Sequence, residues 1–132
     1  MAGFFTRTQK DPQKKKNTEK IKELRKLVKE KKYEQALKTG SEYLQKVPEN
    51  HDVLFIVGGI YYMQKKYKTA ITYFEKALEI GSYDTDVLIL KANAHYFLGE
   101  NKRAVECCER IKEIDPKSKA VSELLEKINS NL

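Results

Sequence analysis

Apolar side chains recur along the chain at steps of three and four, the spacing of a helix with one buried face. Leu54, Val57, Gly58 and Tyr61 keep that step, as do Ala70, Phe74, Ala77 and Leu78, with polar Lys65 and Lys66 between the two sets. The pattern predicts two helices folded against each other over residues 51–84. Shifted by 34 residues it reappears, since Ala70 falls on Ala36 upstream and Ala104 downstream, and Tyr67 falls on Tyr33 and Asn101. Pro48 and Pro116 stand two such periods apart, with Ser82 midway. Three hairpins in one register are therefore expected, at 17–50, 51–84 and 85–118. The first helix is placed from about Thr18 to Glu30, capped by Asn17 or Thr18, and the fifth is capped by Asp84 or Thr85. A last helix over 118–129, apolar at Val121, Leu124, Leu125 and Ile128, is expected to cover the flank of the third hairpin.

A helix, turn, helix unit at this period resembles the tetratricopeptide repeat, and the resemblance covers residues 17 to 118. It implies an all-α fold, a right-handed α-solenoid of antiparallel helix hairpins over residues 17–132, preceded by a basic arm at 1–16. It also implies a scaffold that binds other proteins and is not an enzyme. The first repeat departs furthest from the family: Glu23 and Leu24 stand where leucine and glycine are usual, Gly40 replaces a large aromatic, and Tyr43 replaces a small residue. A paired exchange is expected there, Tyr43 filling the volume that Gly40 leaves. Gly58 and Ala70 are expected to set the closest approach of the two helices in the second repeat.

Composition narrows the picture further. The chain has 132 residues, 40% of them hydrophobic and 34% charged, which suits exposed helices over a thin, continuous core. Its two cysteines, Cys107 and Cys108, are adjacent, so they enclose no loop for a conventional disulfide; with two histidines they make no four-ligand zinc set. No metal and no cofactor is expected, no nucleophile shares a face with a base and an orienting group, and catalysis is not expected. His95 stands where Tyr61 stands one repeat earlier and reads as a packing residue, Cys108 as a small core residue and Cys107 as its partly covered neighbour. No stretch reaches the roughly 18 apolar residues of a membrane span, and the N-terminus lacks an apolar run like that of a signal peptide, so a cytoplasmic protein is expected.

The resemblance places the first helix of each hairpin along a concave surface, and that surface is where binding is expected. The candidate groove residues are Arg25 in the first repeat, Phe55, Ile56, Gly59, Tyr62 and Met63 in the second, and Ile89, Leu90, Asn93, Tyr96 and Phe97 in the third. They predict a groove that receives a peptide or helix, because Leu54, Val57, Gly58 and Tyr61 already occupy the side of their helix that faces its partner. The remaining apolar residues then need a second cover. A subset of the family grips a terminal carboxylate with Lys, Arg and Asn. The matching places here hold Ile21, Arg25, Ile56, Asp86 and Leu90, so chaperone-tail binding of that kind is not expected. The net charge of +7 lies wholly in the first 50 residues. That makes nucleic-acid binding the rival from another class, but Glu19, Glu23, Glu30 and Glu34 alternate with those cations and favour a solvated face. Phe4 and Phe5 in the arm lack a core of their own. They are expected to dock in a groove, either their own or that of a second copy, so that the partner is another protein or the chain itself.

Overall fold

The computed structural model describes residues 12–131, and all of its regular structure is helical. In chain order the helices are α1 (Pro12–Lys29), α2 (Tyr33–Lys46), α3 (His51–Met63), α4 (Tyr67–Ile80), α5 (Thr85–Phe97), α6 (Asn101–Ile114) and α7 (Lys119–Ser130). The fold is an all-α solenoid of three hairpins followed by a single helix. Helix α1 begins six residues before the expected Thr18, so Asn17 and Thr18 lie inside it and do not cap it. Thr18 Oγ1 instead donates to the Lys14 carbonyl at 3.0 Å. Proline at the first helical position sets φ in advance, and the Gln and Lys residues after it are good helix formers, so the helix forms here without any apolar periodicity.

The ends of the helices repeat with the same period as their interiors. Asn50, Asp84 and Ser118 are N-caps 34 residues apart, and each accepts from the amide of a valine three residues on, Val53, Val87 and Val121, at 3.1, 3.2 and 3.3 Å. The turns inside the hairpins recur likewise. Lys31, Lys65 and Gly99 all take positive φ, and the next residue's amide donates back five residues, Lys32 to Leu27, Lys66 to Tyr61 and Glu100 to His95. This is the Schellman closure, which satisfies helix-end carbonyls and reverses the chain in a fixed direction. Ser118 belongs to the cap series, so α7 stands where the first helix of a fourth hairpin would begin.

The helices form two layers. Helices α1, α3, α5 and α7 each approach the next of their series closely, whereas α2, α4 and α6 make no close backbone approach to one another. A layer that touches backed by a layer that splays gives a curved array with the touching helices on its inner, concave side. Helix α3, with a hairpin partner and a preceding hairpin, is consequently covered twice. Leu54 of α3 faces α4 in a cluster with Ala70, Phe74 and Ala77, while Val53, Val57 and Ile60 are fully buried against Leu24, Leu27 and Ala36 of the hairpin before.

The exchange of large and small residues in the first repeat runs across the hairpin. A methyl group built on Gly40 would lie 2.7 Å from Val57 Cγ2 and 3.7 Å from Leu24 Cδ2. Leu24, fully buried, and Val57 occupy that volume, and Tyr43 stays half-buried beside Lys20, Glu23 and Lys46. The expected Gly40 and Tyr43 pairing is thus corrected to Leu24 and Gly40. One repeat on, the same two places hold Gly58 and Phe74, a small residue facing a large one in the opposite order, and a methyl on Gly58 would lie 2.8 Å from Phe74 Cε1. In the third repeat they hold Ala92 and Cys108, both buried.

Candidate functional site

The inner face is where the array leaves apolar surface open. Between α1 and α3 lies a depression of about 180 Å³ lined by Arg25, Val28, Phe55, Ile56, Gly59 and Met63. Phe55 and Ile56 are half-buried, their bodies packed onto the core clusters, and Phe55 meets Phe74 with ring centroids 6.3 Å apart. Met63 is 49% exposed at the rim, and Arg25 is exposed on α1. The floor is Gly59, around which a built methyl group would meet nothing within 4 Å. Gly58 and Gly59 are therefore neighbours of opposite character, one closed by Phe74 and Tyr73, the other open to the inner face.

An aromatic cluster continues the surface toward the third repeat. Phe97, 53% exposed, stacks on Tyr67 with centroids 5.0 Å apart and planes 21° apart, while Tyr62 lies 5.6 Å from Tyr67 and 6.4 Å from Phe97. Tyr62 also shares a hydrogen bond with Asn93. Burial first, and then the neighbouring Tyr67 phenol, push the Tyr62 hydroxyl above its ordinary range against that bond. Leu90 is half-buried on the cluster that holds Phe55 and Tyr62.

Among the sequence-derived groove residues, Arg25, Phe55, Ile56, Gly59 and Met63 thus share one depression, and Tyr62, Asn93 and Phe97 share the aromatic patch. Tyr96 borders that patch, its ring centroid 5.5 Å from that of Phe97, but like Ile89 it also faces α7. Both pack against the cluster built by Val121, Leu124 and Ile128 of α7, and the Tyr96 hydroxyl accepts from Asn131 Nδ2. Helix α7 fills the next inner place and takes up part of their apolar surface. Tyr67, at the start of an outer helix, joins the patch although only inner helices were expected to supply it; its position five residues after Tyr62, across a tight turn, is the signal that could have found it. Phe4 and Phe5 lie outside the described residues.

Other chemically capable groups are engaged in packing. His95 is 4% exposed and its Nδ1 lies 2.9 Å from Glu100 Oε1, a hydrogen bond that holds the Glu100 carboxyl below its usual range. Burial pushes the Cys107 thiol up and, together with Cys107, raises Cys108 to about 11, so both stay protonated near neutral pH. Cys107 is buried but keeps 7% of its surface, more cover than the partial cover expected, while Cys108 keeps none. Among the described residues no three of His, Cys, Asp and Glu are grouped to hold a metal ion, and no helix is long and apolar enough to cross a membrane.

Residues 61–128, slightly more than half of the chain, match the sequence profile of the tetratricopeptide repeat. The chain belongs to the tetratricopeptide repeat family. No curated protein matches its sequence significantly. Among solved structures, the first tetratricopeptide domain of Spaghetti (RPAP3) bound to an HSP90 peptide superposes with a TM-score of 0.82 at 20% identity, covering 89% of this chain and 93% of that one. The Hsp90 co-chaperone Cns1 from Saccharomyces cerevisiae gives 0.82 at 19% identity, covering 92% of this chain and 41% of its own. The second such domain of human RPAP3, in complex with an HSP70 peptide, gives 0.77 at 21% identity over 83% and 92%. At these identities the likeness concerns the fold. In this tetratricopeptide array the places matched to the family's carboxylate grip carry one cation, Arg25; Ile56 and Leu90 are packed into core clusters and Asp86 is exposed on the first turn of α5.

Adjacent substitutions test the two faces of α3. Gly59→Leu is expected to leave the unfolding midpoint unchanged or raise it, since leucine is a better helix former than glycine by somewhat under 1 kcal/mol and its side chain enters open space. Gly58→Leu is expected to cost about 1–3 kcal/mol by overpacking against Phe74. Urea unfolding of both variants checks the contrast.

Proposed function

We propose that the chain is a non-catalytic interaction module whose inner face takes a short segment of a partner protein, seating one large apolar side chain over Gly59. The open depression over Gly59, walled by Phe55, Ile56 and Met63, carries this reading. Arg25 at its edge supplies a donor for a carboxylate or carbonyl of the bound segment, and Phe97 extends the apolar contact beyond it. The two peptide-bound relatives are consistent with a fold suited to holding peptides. Their peptides, SRMEEVD and SGPTIEEVD, are acidic at the end, whereas the depression here is apolar beside a single arginine. Its partner is thus a segment with a large apolar anchor, in which an acidic tail is secondary.

Selection of a random peptide library on the full-length protein tests this. Selected peptides are expected to share an apolar or aromatic anchor, to bind Gly59→Leu and Phe55→Ser at least about tenfold more weakly, the loss of about 1.4 kcal/mol, and to keep their affinity between 50 and 200 mM salt. Peptides indifferent to Gly59→Leu would refute the site. If the tighter ligand is instead RNA or DNA, whose binding through six to ten phosphates falls by about 10³–10⁵ over that salt range, and Phe55→Ser leaves it intact, then the basic helix α1 is the working surface.

A further inference from the structure

The outer side of the third repeat carries a cleft of about 590 Å³ between α4 and α6 with α5 as its floor. We propose that this cleft is a second binding site, separate from the inner face, for an acidic segment of a partner protein. Its origin can be read by comparing repeats. In the second repeat Tyr61 and Tyr73 stack with centroids 5.6 Å apart over buried Val57. One period later those three places hold His95, Cys107 and Lys91. Two tyrosine rings are replaced by an imidazole drawn to Glu100 and a small thiol, and a buried isopropyl group by an ammonium, so space filled in one repeat is open and charged in the next.

The lining fits a carboxylate-bearing chain. Lys91, Lys102, Arg103 and Arg110 face the cleft against Glu75 and Glu106, so cations predominate. Lys91, 21% exposed at the floor, reaches Glu75 only at 3.8 Å, a loose pair with donors left for another oxygen. Arg110 is steadied by a bond from Nη2 to the Ser82 carbonyl at 3.1 Å, which leaves other guanidinium N–H groups for a ligand. From Lys102 to Arg110 the rim runs roughly 12 Å at 1.5 Å per residue, about the span of four extended residues. Glu75 and Glu106 stand among the cations. A polyphosphate of uniform negative charge would meet both, whereas a peptide can place carboxylates against the cations and its amides against the glutamates. Cys107, protonated and buried on the floor, serves as a small residue that leaves room.

The probe is a fluorescein-labelled glutamate-rich dodecapeptide, with its glutamine counterpart as control, titrated into the full-length protein at low salt. The acidic peptide is expected to bind and the glutamine one to fail. Cys107→Tyr, which restores the filling residue of the second repeat, is expected to weaken binding about tenfold or more, as is the exposed pair Lys102→Glu and Arg103→Glu. The pair Lys22→Glu and Lys26→Glu on α1 makes the same change in net charge and is expected to stay within about twofold of the unaltered protein, as is Gly59→Leu, which alters only the inner face. An equal loss in the α1 variant would mean attraction to net charge alone and overturn the proposal. So would indifference to the Lys102 and Arg103 pair, which lies on the surface and does not disturb folding, or a single-stranded oligonucleotide that displaces the peptide in a manner dependent on those two residues and binds more tightly than it.

Discussion

Phe74→Ala is expected to lower the unfolding free energy by about 3–5 kcal/mol, the range for removing a fully buried aromatic ring. Phe74 presses on Gly58, packs with Leu54, Ala70 and Ala77, and meets the ring of Phe55, so its loss empties the joint between α3, α4 and the inner face. The size of the loss depends on the small residue opposite. In the first repeat the large residue sits on the inner helix, as Leu24, and the small one on the outer helix, as Gly40, so the backbone accepts either order. Gly58→Leu in the Phe74→Ala background is therefore expected to place its side chain in the vacated volume, and the double variant to be less destabilised than the two single changes added together. A double-mutant cycle by urea unfolding measures this, with a favourable coupling of about 1 kcal/mol or more expected for residues in direct contact. Strict additivity would show that the two side chains do not share one space.

Ending the chain at Lys117 is expected to have a larger effect still, confined to one end. Helix α7 buries Val121, Leu124 and Ile128 against Leu88, Ala92, Cys108 and Ile111, and half-covers Ile89 and Tyr96. Three buried aliphatic side chains contribute about 1.5–3 kcal/mol each, several-fold more than one surface substitution changes. In a repeat array each unit depends mainly on its neighbours. The shortened chain is thus expected to bind an apolar dye and to lose amide protection in α5 and α6, while α1 to α3 keep theirs. Hydrogen exchange resolved by residue checks the gradient; uniform loss throughout would mean that the array unfolds as one unit.

The three hairpins were legible because the residues that close each one are periodic in type as well as in position. Where type and position part, the sequence misleads. The start of α1 carries lysines and no apolar stripe, so only the proline and the helix-forming character of its residues mark it, and a periodicity argument passes over it. Tyr43 was read as the partner of Gly40 because it lies one turn along the same helix; Leu24 and Val57, distant in sequence, are nearer in space. Val53 and Ile60 escaped notice as core because the partner helix already accounted for one side of α3, and the second side is covered by the preceding hairpin. For the same reason the partial cover that α7 gives Ile89 and Tyr96 is not legible in the third repeat alone. Lys91, His95 and Cys107 were each legible alone as departures from the second repeat. That the three departures open one space depends on the outer helices standing apart, a property of the stacking that no single repeat contains.

The three internal turns share one geometry and differ in what it requires of the residue that adopts it. A β-carbon in the left-handed region costs roughly 1–2 kcal/mol. Lys31 and Lys65 carry that burden at φ 61° and 62°, and Gly99 does not. Glycine gives up more chain entropy when fixed, on the order of 0.5–1 kcal/mol, so the third turn keeps a modest net advantage. The last hairpin thus closes with little local strain, while the packing of the helices joined by Lys31 and Lys65 must hold those two residues in the left-handed region.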